Sequence, residues 1–254
     1  MIYKALMLDV DGTLVPYDYN ALPSEKVQQL VCKAREQVTV CVATGRSYAF
    51  VEPVLRALHI DHGLAIVNNG AQVIDIKTKK EYYSQPLLSS DLEIIINLLT
   101  NLGISFYLSA GGKDIPYEKG RIPAHIFNIY SRELFSTKKI RHAIKLLAEY
   151  TTISIQETSH KDAELSGFVI THALATKLHG ILQVAKMLDI KLCDIVGVGD
   201  GYNDFPLFSA CGLKVAMGNA NDDLKEIADY IAPSVENDGV AHVIEKYILR
   251  AHDL

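Results

Sequence analysis

No apolar run in the chain approaches the roughly 20 residues needed to cross a bilayer, so no membrane-spanning helix is expected. Two aspartates, Asp9 and Asp11, interrupt the first apolar stretch where a secretory leader would need it unbroken, and the chain is expected to stay in the cytoplasm. Cysteines are few: Cys32, Cys41, Cys193 and Cys211 lie far apart and form no C-x-x-C pair. That excludes a disulfide framework or a zinc ribbon and fits small thiols in a reducing compartment. There is no basic excess. Lys and Arg total 25 against 30 Asp and Glu, a net charge of -5, so the footprint of a nucleic-acid binder is missing. Internal repeats and low-complexity tracts are absent too. What remains, 49% hydrophobic and 22% charged residues over 254 positions, is enough for a sizeable core in one large domain or a domain carrying an insertion.

The pattern along the chain alternates. "YKALMLDV", "VTVCVAT" and "GLAIVNNG" are continuous apolar strands. Between the first two, Val27, Leu30, Val31 and Ala34 fall on one helical face with Ser24 as N-cap. A second helix is expected from about residue 47 to 58, with Pro53 inside it. The C-terminal third repeats this style. A helix stripe of Leu178, Ile181, Leu182, Ala185 and Leu188 precedes the strands "DIVGVGDG", "LKVAMGNA" and "YIAP", and Val240, Val243, Ile244 and Tyr247 mark a last helix. Apolar strands alternating with helices predict a parallel sheet covered on both faces. The middle differs: its strands are polar and alternating, as in "TTISIQET", and the order reads helix, strand, strand, helix, strand, strand. It is expected to be an α+β module with an antiparallel sheet, at 82–172, inserted into a core formed by 1–81 and 173–254. Residues 109–123, "SAGGKDIPYEKGRIP", read as a long loop, and "KTKKE" (77–81) as a solvated turn between strands.

The chemistry gathers where strands end. In an open parallel sheet, ligands bind beyond the carboxyl ends of the strands, and four strands here end in Asp9/Asp11, Thr44, Asn69 and Asp200. Asp-Gly after a strand is also a turn signal. Yet residues two apart on a strand face one side, so Asp9 and Asp11 are expected to converge on a point where their repulsion calls for a cation. "GDGYND" (199–204) alone could be a capped helix start. Together with the first motif it brings several carboxylates to one edge and predicts a hard divalent cation, Mg²⁺ above others where phosphate is the substrate.

The set "DVDGT", "ATGR", Lys177 and "GDGYND" resembles the haloacid dehalogenase (HAD) superfamily of phosphohydrolases. "NNGA", "VAMGNA" and "NDGVA" are similar to its Cof-like branch, and the inserted middle to the type IIB cap of that branch. The resemblance covers the whole chain. It implies a HAD-like Rossmannoid α/β core with an α+β cap, and Mg²⁺-dependent hydrolysis of small phosphorylated metabolites, sugar phosphates foremost, through an aspartyl-phosphate. It makes Asp9 the nucleophile and Asp11 the general acid and base. Mg²⁺ would be held by Asp9, the Asp11 backbone carbonyl and Asp200, with Asp204 in support directly or through water. Thr44, Gly45, Lys177 and Asn203 would bind phosphate, and Lys177 would offset the nucleophile's charge. Arg46 either contacts substrate or braces its loop, and the role of Asn69 is open. One departure is "TKLHG" around Lys177, where the family often has Ser-Lys-Gly. A phosphomutase would use the same residues. A phospho-accepting switch would share the acidic residues, Thr and Lys, but not the second aspartate or the insertion. A dehalogenase would lack Asp11 and need no metal. His59 and His62 have no second ligand pair and are read as loop residues. The tyrosines of "YDY" (17–19) are read as packing.

Overall fold

The computed structural model describes residues 3–110, 112–118, 120, 122–159 and 162–249. The chain divides into two compact units, one of residues 1–84 and 176–254, the other of residues 85–175.

In the first unit, β1 (Ala5–Leu8) is followed by α1 (Glu25–Arg35), β2 (Thr39–Ala43), α2 (Tyr48–Ala57), β3 (Leu64–Val67), β4 (Gln72–Asp75) and β5 (Glu81–Ser84). The second unit carries α3 (Ser89–Asn101), β6 (Tyr107–Ala110), β7 (Lys113–Pro116), β8 (Ile126–Tyr130), β9 (Phe135–Ser136), α4 (Thr137–Leu147), β10 (Ile153–Ser159) and β11 (Leu165–His172). The chain then returns through α5 (Lys177–Leu188), β12 (Ile195–Gly199), α6 (Phe205–Ser209), β13 (Leu213–Ala216), α7 (Asp222–Glu226), β14 (Tyr230–Ile231) and α8 (Gly239–Val243).

The main sheet has the order β14-β13-β12-β1-β2-β3-β4-β5. Its strands are parallel from β14 to β3, while β4 and β5 run antiparallel at one edge. Central strands such as "ALML" are buried on every residue because helices cover both faces. On one face Leu6, Leu8, Val40 and Val42 pack with Val27 and Val31 of α1, Val51 and Leu55 of α2 and Val240 of α8. On the other, Met7, Cys41 and Ala43 pack with Ile181 and Val184 of α5 and Phe208 of α6. Ser24 caps α1, its side chain accepting from the Val27 N–H at 3.2 Å. On α5 the buried line is Lys177, Gly180, Ile181, Val184 and Ala185. Leu182 and Leu188, expected on that stripe, are exposed, because the close approach to the sheet is made at Gly180 and the adjacent Ile181, which shifts the buried line.

The second unit is a separate antiparallel sheet, β10-β11-β8-β6-β7 with β9 beside β11. Its own core unites Leu92, Ile95 and Leu99 of α3 and Ile140 and Leu147 of α4 with Leu108, Ile129, Phe168 and Ile170 of the sheet. The expected boundaries move by three residues. Residues 82–84 belong to the main sheet, since β5 pairs with β4. Residues 173–175 stay with the second unit, where Ala173 N–H donates to Thr152 O and Ala175 N–H to His172 O, both at 2.8 Å. The span 109–123, expected as a loop, contains β7, which pairs with β6 in a tight hairpin. Residues 111, 119 and 121 of that span lie outside the described residues.

Candidate active site

The adjacent carboxyl ends of β12, β1 and β2 place Asp200, Asp9 and Thr44 side by side. Asp9 follows β1 directly, its N–H donating to Val198 O at 3.0 Å, and its side chain is nearly inaccessible. Asp9, Asp200 and Asp204 each offer a carboxylate oxygen within 4.8 Å of the others. The side chain of Lys177 stands at 0% exposure between two of them. Its ammonium donates to Asp9 Oδ1 at 2.5 Å and to Asp204 Oδ1 at 2.6 Å. Burial alone would lower the Lys177 pKa, but Asp204 and Asp9 more than offset this and raise it. Lys177 is therefore a permanent cation. Burial pushes the Asp9 carboxyl well above the usual carboxylate range, with Asp204 adding to it. Burial also pushes Asp200 up to about 6.

Asp204 is committed to structure. Its Oδ2 accepts from the Asp200 and Gly201 N–H groups, both at 2.9 Å, and so closes the loop that carries Asp200. Asp200 in turn is held by Thr13, whose hydroxyl donates to Oδ1 at 3.1 Å. The Tyr17 hydroxyl and the Asn219 amide both donate to Oδ2, the latter at 3.3 Å. Gly12, with φ of 78°, lets this happen: a Cβ there would stand 2.2 Å from Asp200 Oδ2.

Asp11 does not converge with Asp9. β1 ends at Leu8, and the backbone from Val10 turns back so that Gly12 and Val15 N–H bond to Val15 O and Val10 O at 2.7 and 3.0 Å. The two-residue alternation of a strand no longer applies. The Asp11 carboxylate lies instead in the fork of Arg46, whose Nη2 and Nε approach it at 2.6 and 3.0 Å. The remaining guanidinium N–H groups donate to the backbone oxygens of Tyr19, Phe50 and Asp18 at 3.2, 3.1 and 3.4 Å. A guanidinium has five N–H donors, and protein acceptors take all of them here. Of the two readings of Arg46, the geometry carries bracing rather than substrate contact.

Thr44 is fully buried, and its hydroxyl accepts from the Arg46 N–H at 3.1 Å. Asn69 N–H donates to Thr44 O at 2.9 Å. The Asn69 side chain lies over Gly45 and accepts from Asn203 Nδ2 at 3.2 Å. Asn68, Asn69 and Gly70 all have positive φ, of 51°, 57° and 96°, which is why Asn and Gly occupy this turn. At Gly70 a Cβ would stand 2.0 Å from Thr176 O. Gly70→Ala is expected to destabilise the protein by about 2 kcal/mol or more, from the left-handed backbone and the displacement of α5. The midpoint of urea unfolding measures it.

Sequence reasoning missed Tyr17, Thr13 and Asn219 as holders of Asp200. Tyr17 stands in a polar, turn-like stretch with no periodicity, and only its place two residues after the "DVDGTLV" turn could have flagged it. Asn219 lies in the motif "VAMGNA", noted without a role.

The site and sheet define an α/β fold with a carboxylate cluster around one buried lysine at the carboxyl ends of its strands. A family model for haloacid dehalogenase-like hydrolases matches residues 6–244, and the chain belongs to that family, in its Cof-like branch. It is similar to the 5-amino-6-(5-phospho-D-ribitylamino)uracil phosphatase of Bacillus subtilis, 25% identical over 97% of this chain and 96% of that one. It is also similar to phosphoglycolate phosphatase 1 of Saccharolobus solfataricus, 23% identical over 96% of each. Among solved structures, a haloacid dehalogenase-like hydrolase from B. subtilis superposes with a TM-score of 0.81 at 22% identity, covering 96% of this chain and 99% of that one. A HAD subclass IIB sugar phosphatase superposes with 0.77 at 19%, covering 95% and 98%. The chain is an enzyme with phosphatase activity. Phosphatases of this family generally use a divalent metal, and the carboxylate cluster is compatible with one. No helix among the described residues is long and apolar enough to cross a membrane.

Proposed function

We propose that the enzyme hydrolyses phosphomonoesters of small metabolites, sugar phosphates foremost, through an aspartyl-phosphate on Asp9 and with Mg²⁺. The observation that carries this reading is the charge of the cluster. With its three carboxylates ionised, the cluster with its one lysine carries two negative charges, the complement of one divalent cation, at a place where Asp204 and Lys177 are sealed from water and Asp9 and Asp200 nearly so.

Asp9 Oδ1 is engaged by Lys177, which leaves Oδ2 to attack phosphorus. The bond to the leaving oxygen breaks, and that oxygen takes a proton from Asp11. Asp11, now a carboxylate, then takes a proton from water. The water oxygen attacks phosphorus, the Asp9–phosphorus bond breaks, and phosphate departs. The ion pair with Arg46 corresponds to the carboxylate form of Asp11, the form that serves the second step. Asp9, Asp200 and the Asp11 backbone carbonyl would hold the cation, with Asp204 supporting from behind Asp200. The bound cation supplies the positive charge that lets a carboxylate approach a dianionic phosphate. Thr44, Gly45 and Asn203 would receive the phosphate oxygens, with Asn69 fixing Asn203. Residues 85–175 would act as the lid that selects the leaving group.

In chelator, phosphate release from a panel of metabolite phosphates is expected to vanish and to return with Mg²⁺. The chelated protein should also gain stability on adding Mg²⁺, about 2.7 kcal/mol at a hundred times Kd, read as a rise in Tm. Full turnover at nil metal content would overturn the reading. Conversion of a sugar phosphate to its isomer without phosphate release would move the enzyme to the phosphomutases.

A further inference from the structure

We propose that Tyr17 is a positioning residue of the cation site: its phenol, together with the Asn219 amide, occupies Asp200 Oδ2 and so turns Oδ1 toward the cation. This rests on the reading of the carboxylate cluster as a metal site.

The acceptor capacity of Asp200 is the starting point. A carboxylate oxygen has two lone pairs. On Oδ2 both are used, by Tyr17 Oη and Asn219 Nδ2. On Oδ1, among the described residues, only one is used, by Thr13. Asp200 therefore keeps one unengaged lone pair, on Oδ1. Ligating carboxylates work in this way when their second oxygen is fixed by hydrogen bonds, and loss of such a partner costs typically 10–100-fold in metal affinity.

Tyr17 is placed for this task. Its residue surface is 73% exposed, while Asp200 is 2% exposed, so the ring stands at the rim and the hydroxyl reaches inward. The segment that carries it is fixed on both sides. Asp18 N–H donates to Pro16 O at 2.6 Å and Ala21 N–H to Asp18 O at 3.0 Å. The Tyr19 ring packs 4.9 Å from the Arg46 guanidinium carbon and edge-on to Phe50. Asn219 is anchored likewise, donating to Gly12 O at 2.8 Å and accepting from Val235 N–H at 2.9 Å.

The test is calorimetric titration of Mg²⁺ into the chelator-treated full chain, wild type beside Tyr17→Phe and Tyr17→Ala. Both variants should bind Mg²⁺ about 10–100-fold more weakly, and to the same extent as each other, because the hydroxyl is the operative group. Tm without metal should be unchanged in Tyr17→Phe, since the ring stays at the surface. The chain has 13 tyrosines and no tryptophan, so the near-ultraviolet difference between wild type and Tyr17→Phe isolates this one phenol. That difference band should persist when Mg²⁺ is added. Equal affinity in wild type and Tyr17→Phe overturns the role of Tyr17 alone. Tighter binding by Tyr17→Phe, with loss of the band on adding Mg²⁺, overturns it in the other direction, since the phenol would then compete with the cation. A wild-type chain that binds no divalent cation overturns the metal reading itself and this inference with it.

Discussion

Asp9→Asn is expected to abolish phosphate release, whereas Asp11→Asn is expected to slow it by about 10² to 10⁴-fold, the range a general acid and base contributes. The two residues are two positions apart and differ in surroundings. Asp9 is sealed against Lys177 at 2.5 Å, and an amide in its place has no charge to attack phosphorus. Asp11 is partly open and held by Arg46. Its replacement leaves Asp9, Lys177, Asp200 and Asp204 in place, and removes the proposed proton donor and acceptor together with the charge that pairs with Arg46. With an aryl phosphate, whose leaving group needs little protonation, the first step should suffer less than the second. An acyl phosphate should then accumulate on Asp9 of the Asp11→Asn protein, visible by mass spectrometry after acid quenching. Phosphate on another residue, or near-normal turnover of Asp9→Asn, would contradict the mechanism.

Lys177→Met should be costly to stability as well as to catalysis. The methionine fits the volume, but Asp9 and Asp204 lose the cation they share. Removing one member of a buried ion pair costs about 3–5 kcal/mol, and a denaturation midpoint should fall accordingly. Turnover should be lost, because the repulsion between Asp9 and phosphate is no longer offset at the lysine's position. Added Mg²⁺ should recover part of the stability and little of the rate. A Lys177→Met protein as stable as wild type would mean that the cluster protonates at no cost, and the charge argument for a divalent cation would weaken with it.

The core was legible where a single rule decides. Four-residue runs such as "ALML" and "LAIV" can be buried on every residue only in a sheet covered on both faces, and the strand ends then locate the site. The antiparallel edge strands β4 and β5 carry weaker patterns, and β5, "EYYS", is partly or fully exposed throughout. The hairpin β6–β7 was hidden because Gly112 sits in a turn with φ of 73°, and glycines in a polar stretch read equally as loop. At the site, strand-end reasoning reached Asp9, Asp200 and Asp204, and the family resemblance added Lys177, which the geometry joins to Asp9 and Asp204. It failed for the direction of Asp11, since alternation holds only while the strand lasts. Arg46 and Tyr17 were out of reach for another reason. Their partners lie 35 and 183 positions away, and no local pattern encodes which carboxylate a side chain meets.

The main sheet places β1 beside β12, with Ala5 opposite Ile195. A ribosome adding about 5–20 residues per second delivers Asp200 some ten to forty seconds after Asp9. During that interval the nascent chain gains the five strands β1–β5 and then residues 85–175, which form a compact unit of their own. Until residue 177 is added it has no Lys177 beside Asp9, and until residue 200 it has no Asp200 beside Asp9 either. Asp9 is thus made first and gains its partners last, and a chain released before residue 177 would carry that carboxylate without the lysine that offsets its charge in the mechanism proposed above.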